Sequence, residues 1–318
     1  MSKLFKKIII TGGAGFIGSN LVRKFNEKGM TDILIVDNVK DNKEKKKNLE
    51  RLDFDQIISK EYFMNDLNNY KEISHIFHQG ACSDTMNHDV EFMMDNNFEY
   101  SKKILFHSLK HNINFIFSSS GSVYGNGTNG FIEESKCEEP LNIYAKSKLE
   151  VDLLIRDVLT QGISSQVLSL RYFNVYGYPE IHKGRMASVP LHFFNQLKYK
   201  GKIKIFEGSE NFKRDFIYIE DILNIIDYFY ENKFSGIYNA GTGEVNSFQK
   251  MAIITKNLYP DVNIEIIPFP DKLRKYYQEY TQADTSQLFS TGFSEPFTTF
   301  EKGLENYYYS LEEEHYNS

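Results

Sequence analysis

Two kinds of apolar pattern alternate along the first half of the chain. The first is a short apolar run with little or no polar interruption. Such runs place strands at 8–11, 33–37, 76–81, 115–120 and 166–170. A strand that does not alternate apolar with polar is buried on both faces. The second pattern is longer and periodic. Glu91 to Lys110 carries apolar residues at 93, 94, 98, 105 and 109, and Asn142 to Leu159 has helical spacing too. Strands alternating with helices predict an α/β fold: a Rossmann-type, doubly wound parallel sheet with helices on both faces. Ligands in such sheets sit beyond the carboxyl ends of the strands. The segments rich in chemistry, 12–18, 37, 79–83, 118–120 and 174–177, all follow predicted strands.

The pattern becomes less regular in the second half, which is richer in Tyr, Phe and isolated charges. A helix is predicted over 215–232 and a strand over 237–241. With only seven prolines and no Gly/Ser-rich tether, a smaller lobe packed tightly on the first is expected. Residues 1–175 then form the nucleotide-binding domain, with 215–245 returning to it. Residues 176–214 and 246–318 form a substrate-binding α/β lobe. Glu312-Glu313-Glu314 reads as a solvated, frayed tail.

Composition narrows the function. The chain of 318 residues has a net charge of −6, which argues against nucleic acid as the main partner. No apolar run approaches the roughly 20 residues that span a bilayer, and no signal peptide precedes Ile8. Two cysteines, Cys82 and Cys137, offer no disulfide framework and no zinc site, so a reducing cytoplasm and no metal are expected. Cys82 reads as an inert thiol.

The first predicted strand runs into Gly12, Gly15 and Gly18, and a helix follows. Glycine at these places makes a tight turn, admits a pyrophosphate to the backbone and packs helix against strand. The second strand ends in Asp37, 19 residues beyond Gly18, where a ribose hydroxyl is read. Two signals then conflict. Asp37 favours NAD, whereas the lysine-rich loop Lys43–Lys47 just beyond can neutralise the 2′-phosphate of NADP.

Tyr144 and Lys148 lie four apart on one helix face. An ammonium beside a phenol lowers its pKa from about 10, so that the phenolate can take a proton from a carbinol. The spacing arises by chance in a chain with 21 tyrosines; its placement gives it weight. Ser120 stands 24 residues upstream at the end of a strand, where its hydroxyl can bond the reacting oxygen.

At these residues the chain resembles the extended short-chain dehydrogenase/reductase family of nucleotide-sugar epimerases, dehydratases and reductases. Its marks are Thr11 to Gly18, Ser118-Ser119-Ser120 with Tyr124-Gly125, and Tyr144-x-x-x-Lys148. Ser120 is followed by Gly121-Ser122 and not by the Asp-Glu pair of the dehydratases. A closer likeness, to the branch that epimerises ADP-heptose, covers nearly the whole chain. It rests on Gln79 to Ser83, Met93 to Asn97, Arg171 to Gly177, His182-Lys183-Gly184, Met186 to Val189, Phe206 to Asp215, Pro268 to Leu273, Tyr277-Gln278 and Thr281 to Asp284. The chain departs from it at Gln79, where an acid is usual, and at Arg185, where a small hydroxyl residue is usual.

The resemblance implies epimerisation at C6″ of an ADP-heptose for the lipopolysaccharide core, with NADP as cofactor (NAD being the alternative). It implies cofactor contacts from Gly12, Gly15, Phe16, Ile17, Gly18, Asp37, Asn38, Lys45 and Lys60. Gln79, Gly80, Ala81, Cys82, Ser83, Asn96, Lys148, Val175 and Lys183 complete them. It implies catalysis by Ser120, Tyr144, Lys148 and Lys183. Substrate contacts follow from Ser120, Asn174, Arg185, His192, Phe206, Glu207, Gly208, Ser209, Arg214 and Tyr277, and the assembly from a homopentamer. The rivals are another sugar epimerase, such as a UDP-galactose 4-epimerase, and a regulator that senses the cofactor without chemistry.

Overall fold

The computed structural model describes residues 7–40, 42–270 and 278–317. Its sheet begins with β1 (Ile8–Thr11), β2 (Ile33–Val36), β3 (Gln56–Ile58), β4 (His75–His78), β5 (Asn114–Ser120) and β6 (Val167–Tyr172). The short strands β7 (Asn174–Tyr176), β8 (Lys202–Phe206), β9 (Lys213–Arg214) and β10 (Phe216–Tyr218) follow, and β11 (Gly236–Ala240) comes back beside β6. The seven-stranded sheet has the order β11-β6-β5-β4-β1-β2-β3, parallel throughout. This is the expected doubly wound sheet. Its order reverses between β1 and β4, and a ligand crevice opens at such a reversal.

Among the described residues the α-helices are α1 (Phe16–Glu27), α2 (Lys43–Lys47), α3 (Lys60–Asn65), α4 (Val90–Met93), α5 (Tyr100–Lys110), α6 (Ile143–Thr160), α7 (Val189–Lys200), α8 (Ile219–Asn232), α9 (Phe248–Leu258), α10 (Ser286–Ser290) and a C-terminal helix, Phe300–Asn317. Alternate residues of one strand serve two cores. Ile8 and Ile10 pack with Leu21 and Phe25 of α1 and Ile222 and Phe229 of α8. Ile9 packs on the other face with Ile104 and Leu105 of α5 and Val151 and Ile155 of α6. That double burial is why the apolar runs are unbroken. A third core joins α7, β8, α9 and the C-terminal helix through Leu191, Ile203, Met251, Leu304 and Tyr308. There β8 pairs with β13 (Asn263–Ile267), and β9 pairs with β12 (Asn246–Ser247).

The chain departs from the sequence-based expectations in five places. Strand β3 was not anticipated: three residues between polar neighbours carry little pattern, and pairing with β2 makes them a strand. The lysine-rich loop is a turn of helix, α2, because Asn42 caps it by accepting from Lys45 N–H at 2.9 Å. The long helix at 91–110 is split by a π-helical turn, Met94–Glu99. The helix expected from 215 starts at Ile219, and 213–218 are extended. Asp215 is buried there, accepting from the backbone N–H of Thr242, Gly243 and Ala283 at 2.9, 2.9 and 3.0 Å. The acidic tail is not merely solvated: Glu312 pairs with Lys198 at 2.5 Å and Glu314 with Lys47 at 2.7 Å.

Candidate active site

A cleft of about 990 Å³ lies over the carboxyl ends of β1, β4 and β5. Its floor is the turn between β1 and α1. A Cβ on Gly12, whose φ is +66°, would stand 2.6 Å from the Cα of Gly80, so two backbones meet here without side chains. A Cβ on Gly18 would stand 2.1 Å from the carbonyl oxygen of Gly12, so only glycine lets α1 pack onto the turn. Gly15 precedes α1 without a side-chain cap, and the first N–H groups of a helix have no partner within it. Such a terminus attracts phosphate through its N–H groups and its dipole.

Asp37 ends the second strand-to-loop step. One carboxylate oxygen accepts from Ala14 N–H at 3.0 Å, and the other meets Lys45 Nζ at 2.7 Å. The acid therefore braces the glycine turn and is neutralised by a lysine that α2 delivers. Lys60 donates to Asn96 Oδ1 at 2.6 Å. The glycine cradle, the free helix terminus and the acid at β2 fit a dinucleotide.

On the opposite wall, α6 carries Tyr144 and Lys148. It is tied to the sheet by Asp152, which meets Arg171 at 2.8 Å and accepts from Ser119 and Ser169 hydroxyls at 2.9 and 2.6 Å. Asp152 and Arg171 are wholly buried. Ion pairs buried this deeply are sensitive to loss of either partner. The Ser120 oxygen accepts from Ser122 O–H at 2.9 Å and from Ser122 N–H at 3.2 Å. Both its lone pairs are then engaged, and its own proton is left to donate.

The phenol of Tyr144 does not behave as expected. Burial raises its pKa and the neighbouring Cys82 thiol adds to this, while the hydrogen bond with Ser120 lowers it. Lys148 Nζ donates to Ser118 O at 2.6 Å and lies 6.0 Å from the Tyr144 ring centre. Burial lowers the lysine to about 7, against the pull of Asp152. Desolvation of both groups, not the lysine charge, dominates in the protein alone.

The roof is the segment Ile181–Met186. Lys183 pairs with Glu180 at 3.1 Å and sits 5.1 Å above the Phe16 ring. Glu180 is fully buried and also accepts from Ser188 N–H at 2.8 Å and Tyr307 O–H at 2.9 Å. Arg185 reaches across to Asp84 at 2.6 Å.

Every cofactor position named from the sequence lines this one cleft, as do Ser120, Tyr144, Asn174, Arg185 and Arg214. Asn174 donates to Thr281 Oγ1 and to Asp215 O, both at 3.0 Å, while Arg214 lies 5.7 Å from the Phe248 ring. His192, Phe206, Glu207, Gly208 and Ser209 are not among the lining residues; His192 lies on α7, Phe206 ends β8, and Glu207, Gly208 and Ser209 follow it in the turn. Tyr277 lies outside the described residues. Sequence reasoning missed His182, whose Nδ1 is 3.2 Å from Asn48 Nδ2 and whose Nε2 overhangs Gly15. Burial, with Lys45 and Lys183 nearby, brings that imidazole down to about 4, so it is neutral. It missed Glu180 and Asp84 as well. No local pattern marks any of the three, because their partners are remote in sequence or lie on irregular backbone.

The glycine cradle and the Ser–Tyr–Lys wall describe an enzyme that oxidises and reduces sugar carbinols with a bound nicotinamide nucleotide. The profile of the "NAD dependent epimerase/dehydratase family" matches residues 8–241, and the chain belongs to that family. It is 51% identical, over 96% of its length and 98% of the relative's, to an ADP-L-glycero-D-manno-heptose-6-epimerase of Brachyspira hyodysenteriae. The crystal structure of the Helicobacter pylori ADP-L-glycero-D-manno-heptose-6-epimerase matches with a TM-score of 0.83 at 28% identity, covering 96% of both chains. A UDP-N-acetylglucosamine 4-epimerase of Methanobrevibacter ruminantium, in complex with UDP-N-acetylmuramic acid, matches with a TM-score of 0.84 at 26% identity, over 97% of this chain and 99% of its own.

Proposed function

We propose that this protein interconverts ADP-D-glycero-D-manno-heptose and ADP-L-glycero-D-manno-heptose by transient oxidation at C6″. The likeness along almost the whole chain to a heptose 6-epimerase supports the substrate. The observation that carries the mechanism is the convergence of Ser120, Tyr144 and Lys148 on the wall opposite the glycine turn. When bound, the nicotinamide supplies a reversible store for one hydride. The protein does the rest. The helix terminus at Phe16 holds the pyrophosphate, and Asp37 with Lys45 receives the adenosine ribose. Ser120 donates to the C6″ oxygen. Tyr144 takes the hydroxyl proton as the ketone forms and returns it on reduction. Lys148 stabilises the phenolate and holds the ribose next to the nicotinamide. Lys183, on the roof, serves the other orientation of the ketone. Arg214 is suited to the diphosphate by its guanidinium fork. Asn174, His192, Phe206 to Ser209 and Tyr277 are assigned to the ADP-sugar by the resemblance.

The same reading takes NADP over NAD, a homopentamer as the assembly, the cytoplasm as its place and lipopolysaccharide core synthesis as its use. Among the described residues no helix is long and apolar enough to cross a membrane. For NADP the support is local: Lys45 neutralises Asp37 at 2.7 Å, removing the repulsion a 2′-phosphate would meet. Lys45→Ala is expected to leave Asp37 uncompensated and weaken NADP binding by about tenfold, with NAD changed much less. Dissociation constants of both nucleotides on both proteins decide this. NAD binding as tightly as NADP to the parent rejects the preference.

The test of function is NMR of the purified protein with each ADP-heptose epimer. Conversion in either direction without added cofactor is the expected result, and in D₂O no deuterium enters at C6″. Deuterium at that carbon overturns hydride transfer in favour of direct proton abstraction. Turnover of UDP-galactose alone reassigns the substrate, and tight nucleotide binding without any turnover favours a regulator.

A further inference from the structure

His78 closes β4 and is fully buried, yet no step above uses it. Its ring lies among Tyr100, Phe115 and Phe117 at centre distances of 5.3, 5.9 and 5.7 Å. In this apolar setting both ring nitrogens are nevertheless partnered. Nδ1 is 2.6 Å from Thr11 Oγ1, and Nε2 is 2.7 Å from Ser101 Oγ.

The protons along this chain have one self-consistent arrangement. Asn97 O can only accept, so the Ser101 hydroxyl donates to it. The Ser101 oxygen then accepts from His78 Nε2–H. A neutral ring with its proton there has a bare Nδ1, which accepts from Thr11 O–H. The Thr11 oxygen in turn accepts from Gly80 N–H at 3.2 Å. This tautomer is assigned from the network. Burial, with the Lys148 and Lys60 cations, holds the imidazole well below its ordinary pKa and keeps it neutral.

The two ends of the chain are the two halves of the site. At one end Thr11 leads into Gly12, which meets Gly80 backbone to backbone. At the other is the π-turn, a local widening of helix that often marks function. There Asn97 accepts from Cys82 N–H at 2.9 Å and donates to Cys82 O at 3.0 Å and Ser147 Oγ at 3.1 Å. Ser147 donates to the backbone oxygen of Tyr144 at 2.7 Å. One imidazole therefore links the nucleotide turn to the helix bearing the phenol.

We propose that His78 is a positioning residue for hydride transfer: its neutral ring, bonded to Thr11 and Ser101, sets the separation between the glycine turn and the helix that carries Tyr144. The proposal rests on the nicotinamide and Tyr144 reading given above. A misplacement of about 1 Å costs on the order of 10²-fold in rate, so a partial slackening should be visible.

The experiment compares the parent with His78→Phe, His78→Gln, Ser101→Ala and the double variant His78→Phe/Ser101→Ala. It measures kcat and KM for the ADP-heptose, NADP affinity and melting temperature. His78→Phe keeps the ring volume and breaks both bonds. Its kcat is expected to fall about tenfold, with KM within about twofold. Glutamine keeps a donor for Ser101 and should recover part of kcat. A mere packing role gives the reverse order, because phenylalanine fills the space better. Ser101→Ala should lower kcat and add nothing to His78→Phe, as members of one network are not additive. Full kcat in His78→Phe, glutamine worse than phenylalanine, or losses that multiply overturn the proposal. Should His78→Phe fail to fold, Ser101→Ala decides alone, and its unchanged kcat overturns it. A parent that converts neither epimer rejects the reading of function, not of His78. In that case nitrogen NMR still judges the ring: protonated Nε2 and bare Nδ1 are expected wherever free histidine titrates, and the opposite tautomer overturns the proposal.

Discussion

Tyr144→Phe lowers the rate of ADP-heptose epimerisation by at least about 10²-fold, because general acid–base help is worth about 10²–10⁴-fold. The substitution removes one oxygen. The ring stays on α6, and the Asp152–Arg171 pair that anchors the helix is untouched. NADP and substrate affinities are therefore expected to hold within a few-fold. The fall should appear in kcat and kcat/KM alike, as for a group that acts only in the transition state. Burial gives the phenol a further consequence. Its pKa is raised by burial in the protein alone, even with the Ser120 hydrogen bond in place, so the hydroxyl is protonated at neutral pH until a nearby cation favours its ionised form. A variant that keeps the parent rate within a few-fold shows that Tyr144 carries no proton.

Lys183→Met cuts epimerisation by about 10²-fold or more with little change in substrate affinity, as for loss of an acid–base group. Return of hydride to the other face requires the ketone to be presented twice. A single phenol fixed beside the nicotinamide need not meet the C6″ oxygen in both orientations. Lys183 hangs from the roof of the cleft, above Phe16. Its partner Glu180 is buried and keeps three other donors, Ser188 N–H, Ser188 O–H and Tyr307 O–H, when the ammonium is removed. The fold should therefore tolerate the change, and melting temperature checks it. If Lys183 instead anchors a phosphate, the substrate dissociation constant rises while kcat is largely kept. Measuring the two quantities separates the roles.

Several features were legible in the sequence because their causes are local or periodic. The unbroken apolar runs are what a strand with a core on each face requires: Ile8 and Ile10 serve one core and Ile9 the other. The spacing of Gly12, Gly15 and Gly18 reflects contacts between neighbouring backbone segments that leave no room for Cβ. An acid at the end of the second strand and a Tyr–Lys pair four apart need only secondary structure to place them.

What only the tertiary structure decided are relations between residues remote in the chain. Whether the second strand's acid repels a phosphate depends on Lys45, which reaches Asp37 because Asn42 caps a helical turn. The direction of the Tyr144 shift depends on desolvation, and desolvation is a property of everything packed around the hydroxyl. Arg185 finds Asp84 across 101 positions, and Glu314 finds Lys47 from the far end of the chain. A spacing in sequence carries chemistry when the backbone between the residues is regular. Charges, protons and hydrogen-bond directions in the cleft are set by burial and by partners from other elements, which no linear pattern encodes.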